Sequence, residues 1–356
     1  YYASLGYNRE NGVLKKEYGD RYTARVQMML NYKRLNMSIG MSGNRQGKHY
    51  TPTEVGLLNY AYNTSRAVPV FNEDGSLWYY PKQGSRYIVN YNVLNERDHS
   101  KQTIKSSGVS LVANLNYRLI NGLRAEAVVA YDLSDTDQEV VFGEKTAYAA
   151  DLRGELYDGT RIQETHSYLP FGKELREEST KSTSYTLRGQ LNYNHCLDRD
   201  ENHLFSLLVG GEIVSVKYTG KKQIDRGQKT VALFGGNYPN FEEWLRNTPE
   251  ALGVYKHQIT NIVSWYGSLT YSIQNTYILN MNIRIDASNK FGKEANHKLL
   301  PIWSVSGRWN MRDDLFQRLT YVDDFSFRVS FGFQGNMLDL ETPEMVIEYG
   351  GWDHIM

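Results

Sequence analysis

Hydrolytic chemistry needs a nucleophile beside a base, and the residues of this 356-residue chain that supply such groups are scattered. His99, His166 and His203 fall in segments that read as loops or turns, and neither a Gly-x-Ser-x-Gly elbow nor a His-Glu-x-x-His pair occurs. Asp132, Asp135 and Asp137 gather carboxylates that could take calcium. The spacing and following Gly of a calcium loop are missing, so they read as a solvated acidic loop. Cys196 is the single cysteine, which excludes an internal disulfide and a Cys-based metal site. No catalytic residue, metal ligand or cofactor site is assigned from these groups, and an enzyme is not expected.

Charge narrows the choice further. Lys and Arg number 40, as do Asp and Glu, so nothing suggests an electrostatic grip on nucleic acid. The 28 tyrosines, beside 6 Trp and 12 Phe, are an unusual load. Tyrosine concentrates where an apolar body needs a wet tip, as at membrane interfaces or on an antibody-like surface. No apolar run is long enough for a membrane helix, which leaves strands as the means of any crossing.

The elements that carry these residues have a period of two. Tyr22, Ala24, Val26, Met28, Leu30 and Tyr32 share one face of a strand, with Thr23, Arg25, Gln27, Asn31 and Lys33 on the other. Leu35, Met37, Ile39 and Met41 alternate in the same way with Asn36, Ser38, Gly40 and Ser42. So do Tyr277, Leu279, Met281, Ile283 and Ile285 with Asn280, Asn282, Arg284 and Asp286. Eleven strands are expected, at 1–9, 21–33, 35–44, 108–119, 122–133, 182–194, 202–217, 261–274, 276–288, 301–311 and 324–333. The short links fall near Arg34, Asn121-Gly122, 198–201 and Asn275, and the long ones are 45–107, 134–181 and 218–260. All the long links lie at one end of an up-and-down sheet. Short turns at one end and long loops at the other are the habit of outer-membrane barrels.

A soluble β-sandwich alternates too, but its strands average about five or six residues, whereas about nine to eleven cross a bilayer at a tilt. The fold class expected is therefore all-β, an antiparallel transmembrane β-barrel. Single-chain bacterial barrels close with even strand numbers, so eleven strands, the first already running at Tyr1, are expected to be an internal piece of a longer wall.

Four blocks in order carry a family resemblance. Arg284 to Gly292 reads Arg-Ile-Asp-Ala-Ser-Asn-Lys-Phe-Gly and is followed by Pro301, Ser304, Val305, Ser306 and Trp309. Arg328 to Asn336 reads Arg-Val-Ser-Phe-Gly-Phe-Gln-Gly-Asn. Near the start stand Ser4-Leu5-Gly6-Tyr7 with Gly12, and then Arg21-Tyr22-Thr23-Ala24-Arg25. Together they resemble the SusC/RagA family of TonB-dependent outer-membrane transporters. Ala287 stands where that family usually has Gly, Asn289 replaces a Ser, and Trp309 comes slightly late. In physical terms the blocks read as architecture: Gly292, Gly332 and Gly335 for tight turns or bulges, Phe291 and Trp309 for an interfacial belt.

The resemblance implies that residues 1–356 are part of the TonB-dependent receptor β-barrel domain, about eleven strands of a barrel of about 22. It implies an outer-membrane nutrient importer in a Gram-negative, Bacteroidetes-like bacterium. Its partners would be a SusD-type surface lipoprotein serving as lid, TonB acting through a plug region upstream of Tyr1, and outer-membrane lipid. The cargo would be oligosaccharide or peptide. A passive porin stands as the alternative, and an outer-membrane barrel hydrolase behind it. Flat aromatic faces beside hydrogen-bonding groups suit oligosaccharides, which singles out Trp78, Tyr79 and Tyr80 in the first long loop and Tyr238, Trp244 and Arg246 in the third. The competing reading is that these aromatics pack their own loops. A short amphipathic helix is expected over 240–253, limited by Pro249.

Overall fold

In the computed structural model, described for residues 1–200, 202–290, 300–315, 321 and 323–335, eleven strands form one antiparallel sheet. They are β1 (Tyr2–Asn11), β2 (Tyr18–Tyr32), β3 (Leu35–Tyr50), β6 (Ser100–Ile120), β7 (Leu123–Phe142), β8 (Glu174–Cys196), β9 (His203–Asp225), β10 (Val254–Ile273), β11 (Tyr277–Ser288), β12 (Leu300–Asn310) and β13 (Ser326–Phe333). Two short strands, β4 (Tyr80–Gln83) and β5 (Ile88–Tyr91), make a separate hairpin. Every strand of the large sheet pairs with its predecessor, so the chain builds a wall by meandering. All eleven expected strands are present. Phe291, Gly292 and Asn336, from the family blocks, lie outside the described residues. Gly332 serves no turn: it sits inside β13, where the register with β12 is unbroken.

The tight links follow local chemistry. Lys33 (φ 50°), Gln274 (φ 50°) and Asn275 (φ 54°) take the left-handed region, and so does Gly122 (φ 85°). A Cβ on Gly122 would also lie 2.4 Å from the Asn194 carbonyl oxygen, so only glycine fits that turn.

One face of the wall is apolar across its middle. On it the ladder Val26–Met41–Leu111–Tyr131–Tyr185 runs from β2 to β8. Tyr22 lies four residues from Val26 towards the long loops. At the other side of the ladder Tyr185 faces Ser215, which faces Asn261, and Trp265 lies four residues nearer the short turns. The aromatic contour Tyr22–Tyr131–Tyr185–Trp265 thus slants across the strands, as the tilted strands of a barrel require. A second contour, through Tyr32, Tyr117, Tyr193, Phe205, Tyr271, Tyr277 and Trp309, slants the same way near the short turns. From Tyr22 to Tyr32 the strand covers about 33 Å at about 3.3 Å per residue, or about 25 Å of depth at the usual tilt. This is the height of an outer-membrane apolar band. Val26, Met28, Leu187, Val209 and Ile283 between the contours are all exposed, as lipid-facing residues are when no lipid is counted.

The strands do not stop where the alternation fades. Pairing continues loopward to Tyr50 and from Ser100, to Phe142 and from Glu174, to Asp225 and from Val254. Segments without a place in the large sheet are therefore 51–99, 143–173 and 226–253, shorter than the alternation suggested. Asp132, Asp135 and Asp137 are corrected from a loop to β7, where they face Ser184, Lys181 and Ser179 of β8. Their odd and even positions divide them between the two faces, and among the described residues no cluster suited to a metal ion occurs.

The three loops carry the helices α1 (Leu57–Asn63), α2 (Val93–His99), α3 (Ala147–Arg153), α4 (Gln228–Phe234), α5 (Pro239–Asn247) and α6 (Pro249–Leu252); α7 (Met311–Asp314) is at the short-turn end. The helix expected over 240–253 is split in two, because Pro249 cannot continue α5 but can open α6. Among the described residues no helix is long and apolar enough to cross a membrane.

Candidate functional site

The face opposite the apolar band is polar and tied together sideways. Asn116 donates to the Glu126 carboxylate (3.1 Å), Gln190 Nε2 donates to the other Glu126 oxygen (2.7 Å), and the Tyr266 hydroxyl donates to Gln190 Oε1 (2.9 Å). These residues share one rung of the ladder, Asn116–Glu126–Gln190–Gly210–Tyr266–Arg284. Gly210 makes the span across β9 possible. A Cβ there would sit 2.7 Å from the Tyr266 ring and hydroxyl, so the absent side chain is the channel through which tyrosine reaches glutamine two strands away.

One rung loopward, Arg188 Nε donates to Glu212 (2.6 Å). Arg284 donates to Asp286 (2.8 Å) and to the Ser264 hydroxyl (2.9 Å), with Glu212 3.9 Å off. The result is a fixed polar belt crossing six strands. Fixed donors and acceptors of both charge signs give a passing polar solute exchangeable hydrogen bonds without a single deep well. Alternation assigned Arg284 and Asp286 to the polar face, but no spacing within one strand announces a bond between β8 and β10.

The loops form a compact block at the other end of the strands. Val89, Tyr91, Val93 and Ala147 make one small core, Val55, Val140 and Phe142 a second, and Ala149, Leu152 and Leu169 a third. Buried polar groups join them. Asp151 accepts from the backbone of Ser85 (3.1 Å), Arg86 (3.0 Å) and Tyr87 (2.7 Å), fixing the β4–β5 turn to α3. Asn92 caps α2 and also donates to the carbonyls of Val70 (2.9 Å) and Trp78 (2.8 Å).

Glu174, fully buried at the head of β8, accepts from Arg176 (2.6 Å), Arg226 (2.6 Å) and Tyr148 (3.0 Å). Arg176 reaches on to Glu54 (2.7 Å), so one carboxylate gathers all three loops. Burial raises the Tyr148 hydroxyl pKa and, more strongly, that of Tyr91. Glu96 lies beneath the second loop and accepts from the Ala147 backbone (2.7 Å), and burial pushes its carboxyl above the ordinary range.

The aromatic candidates divide between packing and exposure. Trp78 stacks on Tyr80 (5.6 Å between centroids), and Tyr80 meets Tyr91 edge-on (5.6 Å) in the first core. Tyr79 points outward at 42% exposure. Tyr238 is buried with its edge to Phe171, and the Arg226 guanidinium lies 4.2 Å from the Trp244 ring. Arg246 is exposed on α5. Among the described residues no hydrogen bond, ion pair or ring contact joins the first-loop trio to the third-loop trio; the second loop lies between, with Asn240 donating to the His166 carbonyl (2.9 Å). His203 bonds the Tyr271 hydroxyl (2.9 Å) at the short-turn end, far along the strands from His99 and His166.

A slanted apolar band, a polar inner belt and long loops at one end define the class: this is wall from an antiparallel outer-membrane β-barrel. No family model matches the chain. Its similarity to SusC/RagA-type TonB-dependent transporters nevertheless runs along almost its whole length. It is 20% identical to TonB-dependent receptor P26 of Formosa agariphila over 94% of this chain and 31% of that protein. To TonB-dependent receptor SusC of Bacteroides thetaiotaomicron it is 22% identical, over 94% of this chain and 32% of that one. Among solved structures, the RagAB peptide transporter superimposes with a TM-score of 0.65 at 18% identity, over 93% of this chain and 34% of that chain. The same importer in its open-open state gives 0.66 at 17% identity, with the same coverage. The chain spans about a third of the length of the curated relatives it matches.

Proposed function

We propose that this chain is part of the wall of an outer-membrane transporter that takes up nutrients in a TonB-dependent manner in a Gram-negative, Bacteroidetes-like bacterium. The observation that carries the reading is the pairing of two opposite faces on one sheet: an apolar band about 25 Å deep facing out, and a bonded polar belt facing in. The curated relatives are named receptors, and a transporter is the activity that such a wall serves. The cargo is an oligosaccharide or a peptide, and a SusD-type lipoprotein closes over the loop block. Tyr79 and Arg246 are the exposed members of the aromatic clusters and contact cargo or lid; Trp78, Tyr80, Tyr238 and Trp244 hold the shape beneath them.

Uptake should be measured in a strain lacking the full-length protein, fed a panel of glycans and peptides, with and without a working TonB. Loss of growth on one cargo class, reproduced by loss of TonB, is the expected result. Growth that persists without TonB would favour a passive porin. Orientation has its own check on intact cells. A cysteine at Trp78 should be labelled by an impermeant reagent and one at Arg34 should not; the reverse pattern would refute the assignment of the loops to the outside.

A further inference from the structure

Val140 and Phe142, at the loop end of β7, have the strand parity of Glu126 in the inner belt, so both stand on the inward side of the wall. The first two loops fold onto them: Val55 packs with both, and Tyr148 stacks on Phe142 (4.1 Å between centroids). Between these loops lies a cavity of about 150 Å³, loopward of the belt. Val55, Val89, Tyr91 and Phe142 give it apolar walls, and all four are buried. An apolar cavity of about this size can take up a ring as large as benzene, so there is room for the apolar part of a small molecule.

Two charges of opposite sign line the cavity, and neither has a counter-ion. Glu96, on α2, is only 3% exposed. Its hydrogen bonds come from neutral donors, among them the Asn95 side chain (3.1 Å) and the Ala147 amide (2.7 Å). Among the described residues it closes no ion pair within 4 Å. Burial accordingly holds its carboxyl above the ordinary range. Lys82, on β4 at the cavity mouth, has its ammonium 3.6 Å from the centre of the Tyr91 ring and makes no hydrogen bond or ion pair among the described residues. The Glu96 charge still acts on Lys82, so the two face each other across a gap too wide for direct pairing. The other carboxylates of the lining are engaged, Asp151 with the 85–87 backbone and Glu54 with Arg176 (2.7 Å).

We propose that this cavity binds a free α-amino acid with a branched aliphatic side chain, its ammonium donating to Glu96, its carboxylate accepting from Lys82 and its side chain among Val55, Val89 and Phe142. A zwitterion supplies both missing counter-ions at once and leaves the cavity neutral. The hydroxyls of a sugar would neutralise neither charge, and a simple carboxylate would leave Glu96 alone with its desolvation cost. Lys82 and Glu96 belong to the first loop, whereas Phe142 and Ala147 stand at the start of the second, so occupancy ties the two loops together. Held by the loop block and not by the belt, the ligand binds whatever the wall transports.

Full-length protein in detergent, titrated calorimetrically with leucine, N-acetyl-leucine, leucinamide, glycine and glucose, provides the test. Leucine should bind. N-acetyl-leucine, which lacks the ammonium, and leucinamide, which lacks the carboxylate, should each bind about tenfold more weakly, as loss of one charge-assisted contact implies. Glycine should also bind more weakly, having nothing to place between Val55 and Val89. Glu96→Gln should weaken leucine about tenfold while removing its advantage over N-acetyl-leucine, and Lys82→Gln should do the same with respect to leucinamide. Lys82 is exposed on β4, so its variant gives the answer even if Glu96→Gln fails to fold. Bound leucine should slow proteolysis of 51–99 and 143–173 together in the unaltered protein. Equal binding of leucine, N-acetyl-leucine and leucinamide would overturn the charge contacts and the proposal with them. Absence of heat with leucine at about millimolar concentration, or binding of glucose in its place, would overturn the site.

Discussion

The wall and the loop block are continuous in chain yet held together by opposite means. Across the apolar band neither face buries a side-chain core; the strands are joined by their backbone ladders and lipid takes the apolar side. Every buried apolar side chain among the described residues, from Val55 to Ala251, lies loopward of the aromatic contour. There the block relies on three small cores and on carboxylates that are themselves buried: Glu96, Asp151 and Glu174. A lipid-solvated wall cannot be stabilised by excluding water from between its own parts, while a block in water has no other source of hydrophobic stabilisation. Damage to one should therefore leave the other standing.

The largest separation should come from Glu174→Ala. Removing the carboxylate leaves Arg176 and Arg226 facing each other without their shared partner, a loss of about 3–5 kcal/mol for a broken buried ion network. Proteolysis in 51–99, 143–173 and 226–253 should rise together, since one carboxylate gathers all three, while heat-modifiable migration of the assembled barrel stays unchanged. Cleavage confined to one loop would show that the loops are separate units. The reciprocal experiment is Val209→Arg. Val209 is outward, exposed and midway between the contours, where a cation costs about 2–4 kcal/mol. Assembly in lipid should fall and loop proteolysis in the assembled fraction should not change.

The difference between the regions also explains what could be read from the chain. The wall obeys a period of two because lipid and water enforce opposite demands on alternate residues, so all eleven strands were legible from Tyr2 to Phe333. Beyond the contour both faces meet water and the pattern loses its meaning. Residues such as Ser106, Ser107, Thr180 and Lys181 look like loop and are strand. The aromatics of the first and third loops were legible as clusters. Their division into buried Tyr238 and exposed Tyr79 was not, because burial there depends on Phe171 and Tyr91, which belong to other stretches of chain. The belt was hidden for a similar reason. Gly210, Gln190 and Tyr266 are unremarkable singly and meet only through the register.

Gly210→Ala tests that register directly and should be smaller in effect. A methyl group would collide with the Tyr266 ring, break its bond to Gln190 and cost about 1–3 kcal/mol by overpacking. Urea unfolding of the reconstituted protein should shift by that amount, with no change in loop proteolysis. A Tyr266→Phe variant loses the hydroxyl without the collision and should shift by about 1 kcal/mol. If both variants unfold at the midpoint of the unaltered protein, the belt contributes nothing to the stability of the wall.

The smallest effect is a pH dependence confined to the block. Burial raises the Glu96 carboxyl, so folding favours its protonated form. A raised carboxyl contributes stability that is complete below the ordinary carboxylate value and lost as pH rises through the raised one. As pH climbs from the ordinary carboxylate value through the raised one, the block should therefore open more readily to protease. Asp98 has the opposite sign: Arg97 and Lys16 hold it at about 2, so its contribution is lost only as pH falls through that value and is constant over this range. Glu96→Gln keeps an oxygen for the Ala147 backbone and has no proton to lose. Its protease susceptibility should be flat across the range, while unfolding of the wall is the same in both proteins at every pH. A slope that survives in Glu96→Gln would place the titrating group elsewhere in the block.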